Sequence, residues 1–326
     1  MFKICVIGCG NITANAHGPA LSKYTSLHPD TVLAGCCDLN PERAESFRTA
    51  FGCRKAYTDY ASMLSEIHPD AVCLFVPPPL TCALAVDILK RGYPLLTEKP
   101  PGRSTEELLR IHEAAQHAGV TVQTAFNRRY TPIMRELKKR IGNESIRSVT
   151  YELYRSHRYD ADFATTAIHA IDAARFIAGS DYAHTDIAYQ FLPEYSESAA
   201  NIFINGWMQN GSLIQLALVP AGGAIIERAS VNTGEAAYFA EFPIGNSADV
   251  PGCIRRITPK GETDRIDGSE LPDGTRLFEL SGFYEEDRVF LDHIRDSGEV
   301  RNDLLSALQS VEIADCIRHR LTVYDA

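Results

Sequence analysis

A turn with two glycines near the start of the chain has the composition of a phosphate-binding loop. Gly8 and Gly10 follow an apolar run at residues 3–7 and precede a segment with helical spacing. Backbone N–H groups at a helix start, together with the helix dipole, can hold a pyrophosphate. Thr13 stands where the full dinucleotide pattern has its third glycine, so an ordinary tight turn between strand and helix is the alternative.

A carboxylate at the end of the second apolar run adds another feature of a dinucleotide site. Asp38 can accept hydrogen bonds from the ribose hydroxyls of adenosine and would repel a 2′-phosphate, which favours NAD over NADP. Its separation from Gly10 exceeds the usual ~20 residues. The alternative is an aspartate that caps the following helix.

A lysine follows the strand candidate at residues 93–96. Lys99 lies in the sequence TEKPPG at residues 97–102. In an open α/β sheet the carboxyl ends of the strands line the ligand crevice, so we expect Lys99 to point toward a bound ligand. A surface Lys–Pro pair is the alternative.

These residues need a scaffold, and the first 125 residues alternate between short apolar runs and helical patterns. Asn40 with Pro41, and Ser104 with Glu107, are signals of helix starts. The alternation predicts a parallel, doubly wound sheet. The predicted strands are residues 3–7, 31–37, 71–76, 93–96 and 120–125.

The pattern changes after Phe126. A strand-rich region contains Asn210–Gly211, a strong signal for a hairpin. The other predicted elements are helices at 132–141 and 164–178, a strand at 148–154, and two closing helices between 284 and about 320 that split near Ser297. The change of pattern predicts two domains, residues 1–125 and 126–326, with the last helices able to pack on the first domain.

Composition limits the classes of function. The 326 residues include 32 lysines and arginines and 42 aspartates and glutamates, a net charge of −10, which speaks against an electrostatic nucleic-acid binder. Residues 198–226 carry no charge, but their asparagines, glutamines and glycines are typical of paired strands rather than of a membrane span. No secretory signal opens the sequence and the nine cysteines form no CxxC pair, so we expect reduced thiols and a cytoplasmic location. The ten histidines show no zinc-binding spacing.

Five short motifs occur in order along the chain: GCGNI at 8–12, DLNPERA at 38–44, TEKPPG at 97–102, FNRRYTP at 126–132 and IHAIDAARFIAG at 168–179. Together they resemble the Gfo/Idh/MocA oxidoreductases, named for glucose-fructose oxidoreductase, inositol dehydrogenase and a rhizopine catabolism protein. The resemblance implies an N-terminal Rossmann domain that binds NAD(P). It also implies a C-terminal α+β domain whose largely antiparallel open sheet forms a homodimer or homotetramer.

The resemblance further implies hydride transfer between NAD(P) and a sugar, sugar acid or cyclitol, and it assigns residues to the cofactor. In the family's TPxxxH segment only the proline persists here, which suggests backbone contacts at that point. The cofactor-binding residues so implied are Gly8, Gly10, Asn11, Ile12, Asp38, Arg43, Pro77, Glu98 and Lys99.

Family dehydrogenases place a lysine, an aspartate and a histidine around the reacting carbinol. Lys99 and His169 match the first and last, while the aspartate position falls on Thr165, which keeps a hydroxyl but has no titratable acid. His169 would act as acid and base, because its ordinary pKa near 6.5 suits proton exchange, and Lys99 would stabilise the alkoxide. Asp172, on the same helical face, would orient the ring or bind a substrate hydroxyl. The alternative for His169 and Asp172 is a polar pair that caps the helix or satisfies its core.

Other polar residues are candidates for binding a polyhydroxylated substrate. Arg128 lies at the predicted domain junction, where a salt bridge between the domains is the alternative role. His157 and Tyr159 precede the second helix of the C-terminal domain, and a solvated loop explains them almost as well.

Three functions follow from these residues. The leading one is an NAD-dependent dehydrogenase or reductase. A second is a family enzyme that recycles its bound NAD while it cleaves a glycosidic bond or changes a configuration. The third is an NAD-binding sensor without catalysis, which the replacement at Thr165 motivates.

Overall fold

The computed structural model describes residues 1–159, 162–245, 247–271, 274–296 and 303–326. They divide into two compact units: the first unit is Met1–Phe126 with Phe283–Leu308, and the second unit is Asn127–Gly282 with Gln309–Ala326. Within the described ranges, the helices are too short or too polar to cross a membrane.

In the first unit, helices alternate with strands along the chain. The helix after the glycine turn contains a π-helical segment, Thr13–His17. The α-helices are α1 (Gly18–Leu27), α2 (Pro41–Phe51), α3 (Tyr60–Ile67), α4 (Pro78–Lys90), α5 (Thr105–Ala118), α6 (Pro132–Ile141), α7 (Ala164–Ala178), α8 (Leu277–Leu280), α9 (Phe283–Asp296) and α10 (Leu308–Arg318). Short 3-10 turns cover Asn127–Tyr130, Gly268–Glu270 and Leu304–Ala307.

The first unit contains a six-stranded, fully parallel sheet, which confirms the predicted doubly wound fold. The strands are β1 (Phe2–Ile7), β2 (Thr31–Cys37), β3 (Ala56–Tyr57), β4 (Ala71–Leu74), β5 (Leu95–Glu98) and β6 (Val122–Ala125). Their order in the sheet is β3-β2-β1-β4-β5-β6. The sequence did not predict β3, because two residues are too few to give a strand pattern.

The predicted helix starts in this unit are present. Asn40 caps α2 by accepting hydrogen bonds from the N–H groups of Glu42 at 2.8 Å and Arg43 at 3.2 Å. Ser104 caps α5 by accepting from the Glu107 N–H at 3.3 Å. The Glu107 carboxylate in turn accepts from the N–H of Arg103, the residue directly before the cap.

The second unit contains a nine-stranded, mostly antiparallel sheet. The strands are β7 (Ile146–Tyr154), β8 (Tyr182–Phe191), β9 (Ala200–Met208), β10 (Leu213–Val219), β11 (Ile226–Thr233), β12 (Ala237–Glu241), β13 (Cys253–Thr258), β14 (Gly261–Asp267) and β15 (Val323–Asp325). Their order is β14-β13-β12-β11-β7-β10-β9-β8-β15, and β7 and β10 run parallel to each other. The hairpin predicted at Asn210–Gly211 joins β9 and β10, and α7 packs on β7 and β10.

The C-terminal part of the chain contributes to both units. Helix α9 packs against α1, and the Tyr24 hydroxyl donates to the Asp292 carboxylate at 2.8 Å. Most of α10 belongs to the second unit. The predicted split between the closing helices at Ser297 lies outside the described residues.

Candidate functional site

Gly8 and Gly10 have different roles in the glycine turn. Gly8 has a φ of +91°, and a Cβ there would lie 2.2 Å from the carbonyl oxygen of Phe75, so the position requires glycine. A Cβ on Gly10 would meet no described atom within 4 Å, so this side of the turn is open. The helix begins at Asn11, and the first N–H groups of a helix have no partner within it. Open space beside such donors suits a pyrophosphate.

The third position of the glycine pattern lies inside the helix. Thr13 is fully buried and opens the π-helical turn, and its hydroxyl has no hydrogen-bond partner among the described residues. Asn11 and Ile12, the two residues directly before it, are exposed. The replacement of glycine by threonine therefore falls on the buried side of the turn, away from its open side.

Asp38 ties the end of β2 to the glycine turn. One carboxylate oxygen accepts from the Cys9 N–H at 2.9 Å, and the other accepts from the Asn40 N–H at 2.9 Å. The turn-forming role is therefore present, although Asn40 rather than Asp38 caps α2. A carboxylate oxygen has two lone pairs, so each can still accept from a ribose hydroxyl. The donors of the glycine turn and the acceptor at Asp38 fit an adenine dinucleotide.

Three residues near this edge of the sheet are exposed. Leu39 follows Asp38 with 86% of its surface exposed, a large value for an apolar residue. Arg43 lies in the first turn of α2, and Pro77 caps the start of α4. Leu39 was not predicted as a site residue, although an apolar residue directly after an acidic strand end is a usable signal in the sequence.

The residue before Lys99 holds a buried histidine. At the end of β5, Glu98 accepts from the backbone N–H of Lys99 at 2.9 Å through one oxygen and from His17 Nε2 at 3.1 Å through the other. His17 Nδ1 lies 2.9 Å from the Asp287 carboxylate on α9, and the ring stacks on Phe75 at 3.7 Å between centroids. Both ring nitrogens thus face carboxylates, an arrangement that suits an imidazolium.

The two carboxylates change the acidity of His17. Burial opposes its protonation, but Asp287 and then Glu98 outweigh that effect and raise the pKa of His17 from 6.5 to about 10. Burial raises the pKa of Glu98, but His17 and Lys99 outweigh it, and the net direction is downward. The family resemblance includes His17 only as a histidine downstream of GCGNI, and the sequence alone assigns it no catalytic or binding role.

In the second unit, a buried carboxylate organises two arginines. Glu227 lies on the inner face of β11 and accepts from Arg128 Nε at 3.1 Å and Nη2 at 2.6 Å. Arg155 also donates to Glu227, and the hydroxyl of Tyr151 donates to it at 3.0 Å. Although burial raises the pKa of Glu227, Arg128 and Arg155 outweigh it and lower the pKa to about 2. The sequence signal for Glu227, a charge at an inward position of an alternating strand, was missed.

His169 contacts this network. The Nη1 of Arg128 lies 3.3 Å from Nε2 of His169 and also donates to the side-chain oxygen of Asn127 at 2.9 Å. His169 lies on α7 and is 7% exposed. The histidine that the family motif indicates is thus held by the arginine of FNRRYTP.

The other polar residues of α7 bind neighbouring groups. Asp172 is 1% exposed and accepts from Arg129 at 2.8 and 2.5 Å and from the Ser310 hydroxyl at 3.3 Å. Thr165 is half-buried in the first turn, and its hydroxyl donates to the carbonyl of Asp162 at 2.9 Å. Asp172 therefore has a structural ion pair in this unit.

An aromatic group lies before α7. His157 has a φ of +57°, which is uncommon outside glycine, and its Nδ1 lies 2.9 Å from the hydroxyl of Tyr159. The ring of Tyr159 stacks on Tyr195 at 4.6 Å with 4° between their planes. This group offers hydrogen-bonding groups beside a flat apolar surface.

Comparison with known proteins agrees with these motifs. Residues 2–126 match a family model described as the oxidoreductase family with an NAD-binding Rossmann fold. The first unit is therefore similar to the NAD-binding domain of the Gfo/Idh/MocA oxidoreductases. A related inositol 2-dehydrogenase of Burkholderia lata is 29% identical over 207 residues, which is 60% of this chain and 60% of that relative, so the match spans less than two thirds of its length.

Solved structures share the fold of the whole chain. A Gfo/Idh/MocA oxidoreductase from Vibrio cholerae has a TM-score of 0.81 and 22% identity, covering 99% of this chain and 98% of its own. Levoglucosan dehydrogenase in complex with NADH and levoglucosan has a TM-score of 0.81 and 16% identity, covering 99% of each chain. At these identities the likeness shows the fold alone.

The family motifs fall on both units. In the first unit lie the cofactor motif residues Gly8, Gly10, Asn11, Ile12, Asp38, Arg43, Pro77, Glu98 and Lys99. In the second unit lie Arg128, His157, Tyr159, Thr165, His169 and Asp172. Hydrogen bonds join Asp38 to the glycine turn in the first unit, and Arg128 to His169 in the second.

Proposed function

We propose that this protein is an NAD-dependent oxidoreductase that transfers hydride between nicotinamide and a hydroxyl or carbonyl group of a sugar, sugar acid or cyclitol. The observation that carries the proposal is the Asp38 carboxylate, held 2.9 Å from the Cys9 N–H beside the open side of Gly10. A carboxylate in that place accepts from ribose hydroxyls and repels a 2′-phosphate, so NAD is preferred over NADP. The relatives named for inositol and levoglucosan support a polyhydroxylated substrate.

The first unit is assigned to the cofactor. The N–H groups of Gly8 and Cys9 are bound by the Cys37 carbonyl and the Asp38 carboxylate, so those of Gly10 and Asn11 would bind the pyrophosphate, and Asp38 the adenosine ribose. The exposed Leu39 supplies an apolar surface for adenine. Arg43 and the backbone at Pro77 complete the proposed cofactor-binding residues of this unit.

Catalysis is assigned to residues that match the family's motif. Bound nicotinamide would accept or return the hydride. The Lys99 ammonium stabilises negative charge that develops on the substrate oxygen. From the motif, His169 exchanges the hydroxyl proton and Thr165 supplies a hydroxyl in place of the family's aspartate.

The second unit is assigned to the substrate and to assembly. His157 and Tyr159 can bind its hydroxyls directly, whereas Arg128 and Asp172 are committed to buried ion pairs and would hold the surrounding groups. On the open sheet, Trp207 pairs with Leu213 across β9 and β10, and both are exposed. An exposed apolar pair in a sheet supports a homodimer or homotetramer through this face.

The state of the cysteines indicates the cellular compartment of the protein. All nine are free, and eight of them are buried. Free thiols in these numbers fit a reducing compartment, so a cytoplasmic location is part of the proposal.

The cofactor half is tested by calorimetric titration of cofactor-stripped protein with NADH and with NADPH. We expect NADH to bind more tightly, and Asp38→Ala to weaken it at least about tenfold, because hydrogen bonds to a charged group contribute about 1.5–3 kcal/mol. Asp38→Asn removes the charge but keeps an oxygen that can accept from the Cys9 N–H. Comparison of the two variants therefore distinguishes the effect of the lost charge on NADH binding from the effect of a disrupted glycine turn. Replacement of the exposed Asp30 by alanine is the control. Absence of binding by both nucleotides would refute the proposal.

The catalytic half is tested by NADH formation with a panel of sugars, sugar acids and cyclitols. Once a substrate is identified, Lys99→Ala should lower kcat by about 100-fold or more, while the affinity for NADH changes little. Lys90→Ala on α4 is the matched control. Unchanged turnover in the Lys99 variant would exclude the mechanism.

A sensor without catalysis is the second candidate, and Thr165 in place of the family's aspartate favours it. It would bind NAD but transfer hydride to none of the panel. A family enzyme that recycles its NAD would instead turn over a substrate without net formation of NADH.

A further inference from the structure

An open cavity of about 610 Å³ lies in the second unit, beside the C-terminal turns of α6 and α7 and the start of β8. Its volume is in the range of sites that bind small molecules. Phe176 lines the cavity and follows His169 by seven residues, or two turns and about 10 Å along α7. The charged and aromatic residues that line it are Arg129, Lys138, Arg175, Phe176 and Asp181.

Two of the three cations in the lining are paired with carboxylates. Arg129 donates to the buried Asp172 at 2.8 and 2.5 Å. Nε of Arg175 donates to Asp181 at 2.7 Å, and Nη2 of the same arginine contacts that carboxylate as well. Asp181 is the carboxylate that lines the cavity, and this ion pair offsets its charge. The charge that these pairs leave over is that of Lys138.

Lys138 has no carboxylate partner among the residues that the structure describes. Its side chain is half-buried, and its ammonium donates to the carbonyl of Ile177 near the end of α7 at 3.0 Å. That bond helps to cap the helix, but it uses one of three hydrogens and supplies no full negative charge. Burial lowers the pKa of Lys138, as expected of a cation whose charge is not compensated. An anion in the cavity would supply the compensation.

The ring of Phe176 gives the cavity a flat apolar surface beside this cation. The Lys138 ammonium lies 5.7 Å from the centre of the ring, and the guanidinium carbon of Arg129 lies 5.9 Å from it. Contact with a ring face stabilises a cation but leaves its charge in place. One uncompensated positive charge beside an aromatic ring suits a molecule with a single carboxylate and an apolar body. Inorganic phosphate has no apolar part and a higher charge, so it fits less well.

We propose that this cavity is a binding site for a small organic monocarboxylate, whose carboxylate binds Lys138 and whose apolar body packs on Phe176. The site is additional to the cofactor and substrate of the proposed function, and it does not depend on them. Since α7 carries both Phe176 and His169, a ligand in the cavity would contact the helix of the proposed catalytic histidine.

Benzoate is the probe for this site, and benzamide, which has a similar shape but no charge, is its matched control. Saturation-transfer NMR with the full-length protein at pH 7 and low salt measures both affinities. We expect benzoate to bind with a Kd of about 1 mM or lower. Benzamide should bind at least about tenfold more weakly, because it cannot form the charged contact with the ammonium. Equal affinities, no binding of benzoate, or tighter binding of inorganic phosphate would overturn the proposal.

Variants on α6 assign the binding to Lys138. Lys138→Gln removes the charge but keeps a donor toward the Ile177 carbonyl, and it should weaken benzoate binding at least about tenfold. Lys139→Gln is the control, since that side chain is 78% exposed and is paired with Glu136 on the same helix. It should leave the affinity unchanged. Unchanged benzoate binding in Lys138→Gln, or an equal loss in Lys139→Gln, would contradict the assignment.

A third variant keeps the test decisive if Lys138→Gln does not fold. Phe176→Leu keeps an apolar side chain but removes the flat ring, so benzoate should bind about threefold or more weakly. Circular dichroism and urea denaturation check the fold of each variant. Wild-type affinity for benzoate in a folded Phe176→Leu would show that the ligand does not pack on this ring and would overturn the proposal.

Discussion

Nε2 of His17 lies 3.1 Å from a carboxylate oxygen of Glu98, the residue directly before Lys99. The other oxygen of Glu98 accepts from the Lys99 N–H, and the opposite ring nitrogen of His17 faces Asp287. One buried imidazolium thus links the helix after the glycine turn, the end of β5 and α9. Because Glu98 binds both His17 and the Lys99 N–H, the buried ion pairs that stabilise the first unit also hold the backbone at Lys99.

Removal of this imidazolium should destabilise the protein. His17→Gln leaves the fully buried Asp287 without its cation, and loss of one partner of a buried ion pair costs about 3 kcal/mol or more. Urea denaturation measures the free energy of unfolding. His319→Gln, at a histidine whose side chain is 65% exposed, should change it by less than about 0.5 kcal/mol. Equal stability of the two variants would contradict the ion-pair assignment.

The contribution of His17 should depend on pH in a defined direction. Its pKa rises from 6.5 in the unfolded chain to about 10 in the fold, so the folded state binds the proton more tightly. The stabilisation is complete below pH 6.5 and is lost as the pH rises through about 10. The difference in unfolding free energy between wild type and His17→Gln, measured at pH 6, 8 and 9.5, should therefore shrink toward high pH. A difference that grows with pH would mean that the ring is neutral in the fold.

Local signals in the sequence predicted the elements but not the buried charges. Helices α6 and α7 have the predicted bounds, because Pro132 and Gly179 mark their start and end. Glu227 stands at an inward position of an alternating strand, but the sequence does not identify Arg128, 99 positions away, as the partner that compensates its charge. The partner of His17 is 270 positions away. Such pairs depend on tertiary contacts that neither periodicity nor helix capping encodes.

The two glycines of the turn should respond differently to alanine. In Gly10→Ala the Cβ enters open space, so the unfolding midpoint should change little, but the Cβ occupies the approach of the pyrophosphate. NADH affinity should fall at least about tenfold, or 1.4 kcal/mol. In Gly8→Ala the Cβ meets the Phe75 carbonyl at 2.2 Å with φ at +91°, so stability should fall by at least about 1 kcal/mol. Thermal unfolding and NADH titration of both variants make the comparison, and normal NADH binding by Gly10→Ala would exclude the turn as the pyrophosphate site.

Thr165 provides the sharpest contrast between an active enzyme and a protein that has lost catalysis. Its hydroxyl donates to the carbonyl of Asp162 at 2.9 Å, and an ionised aspartate cannot donate there. In an enzyme adapted to threonine, Thr165→Asp should lower kcat by roughly tenfold, the equivalent of one hydrogen bond of about 1.4 kcal/mol. Thr165→Ser keeps the donor and should retain most of the activity. The measurement is the steady-state rate of NADH formation for the three proteins, and a rate that appears only in Thr165→Asp would instead favour the sensor.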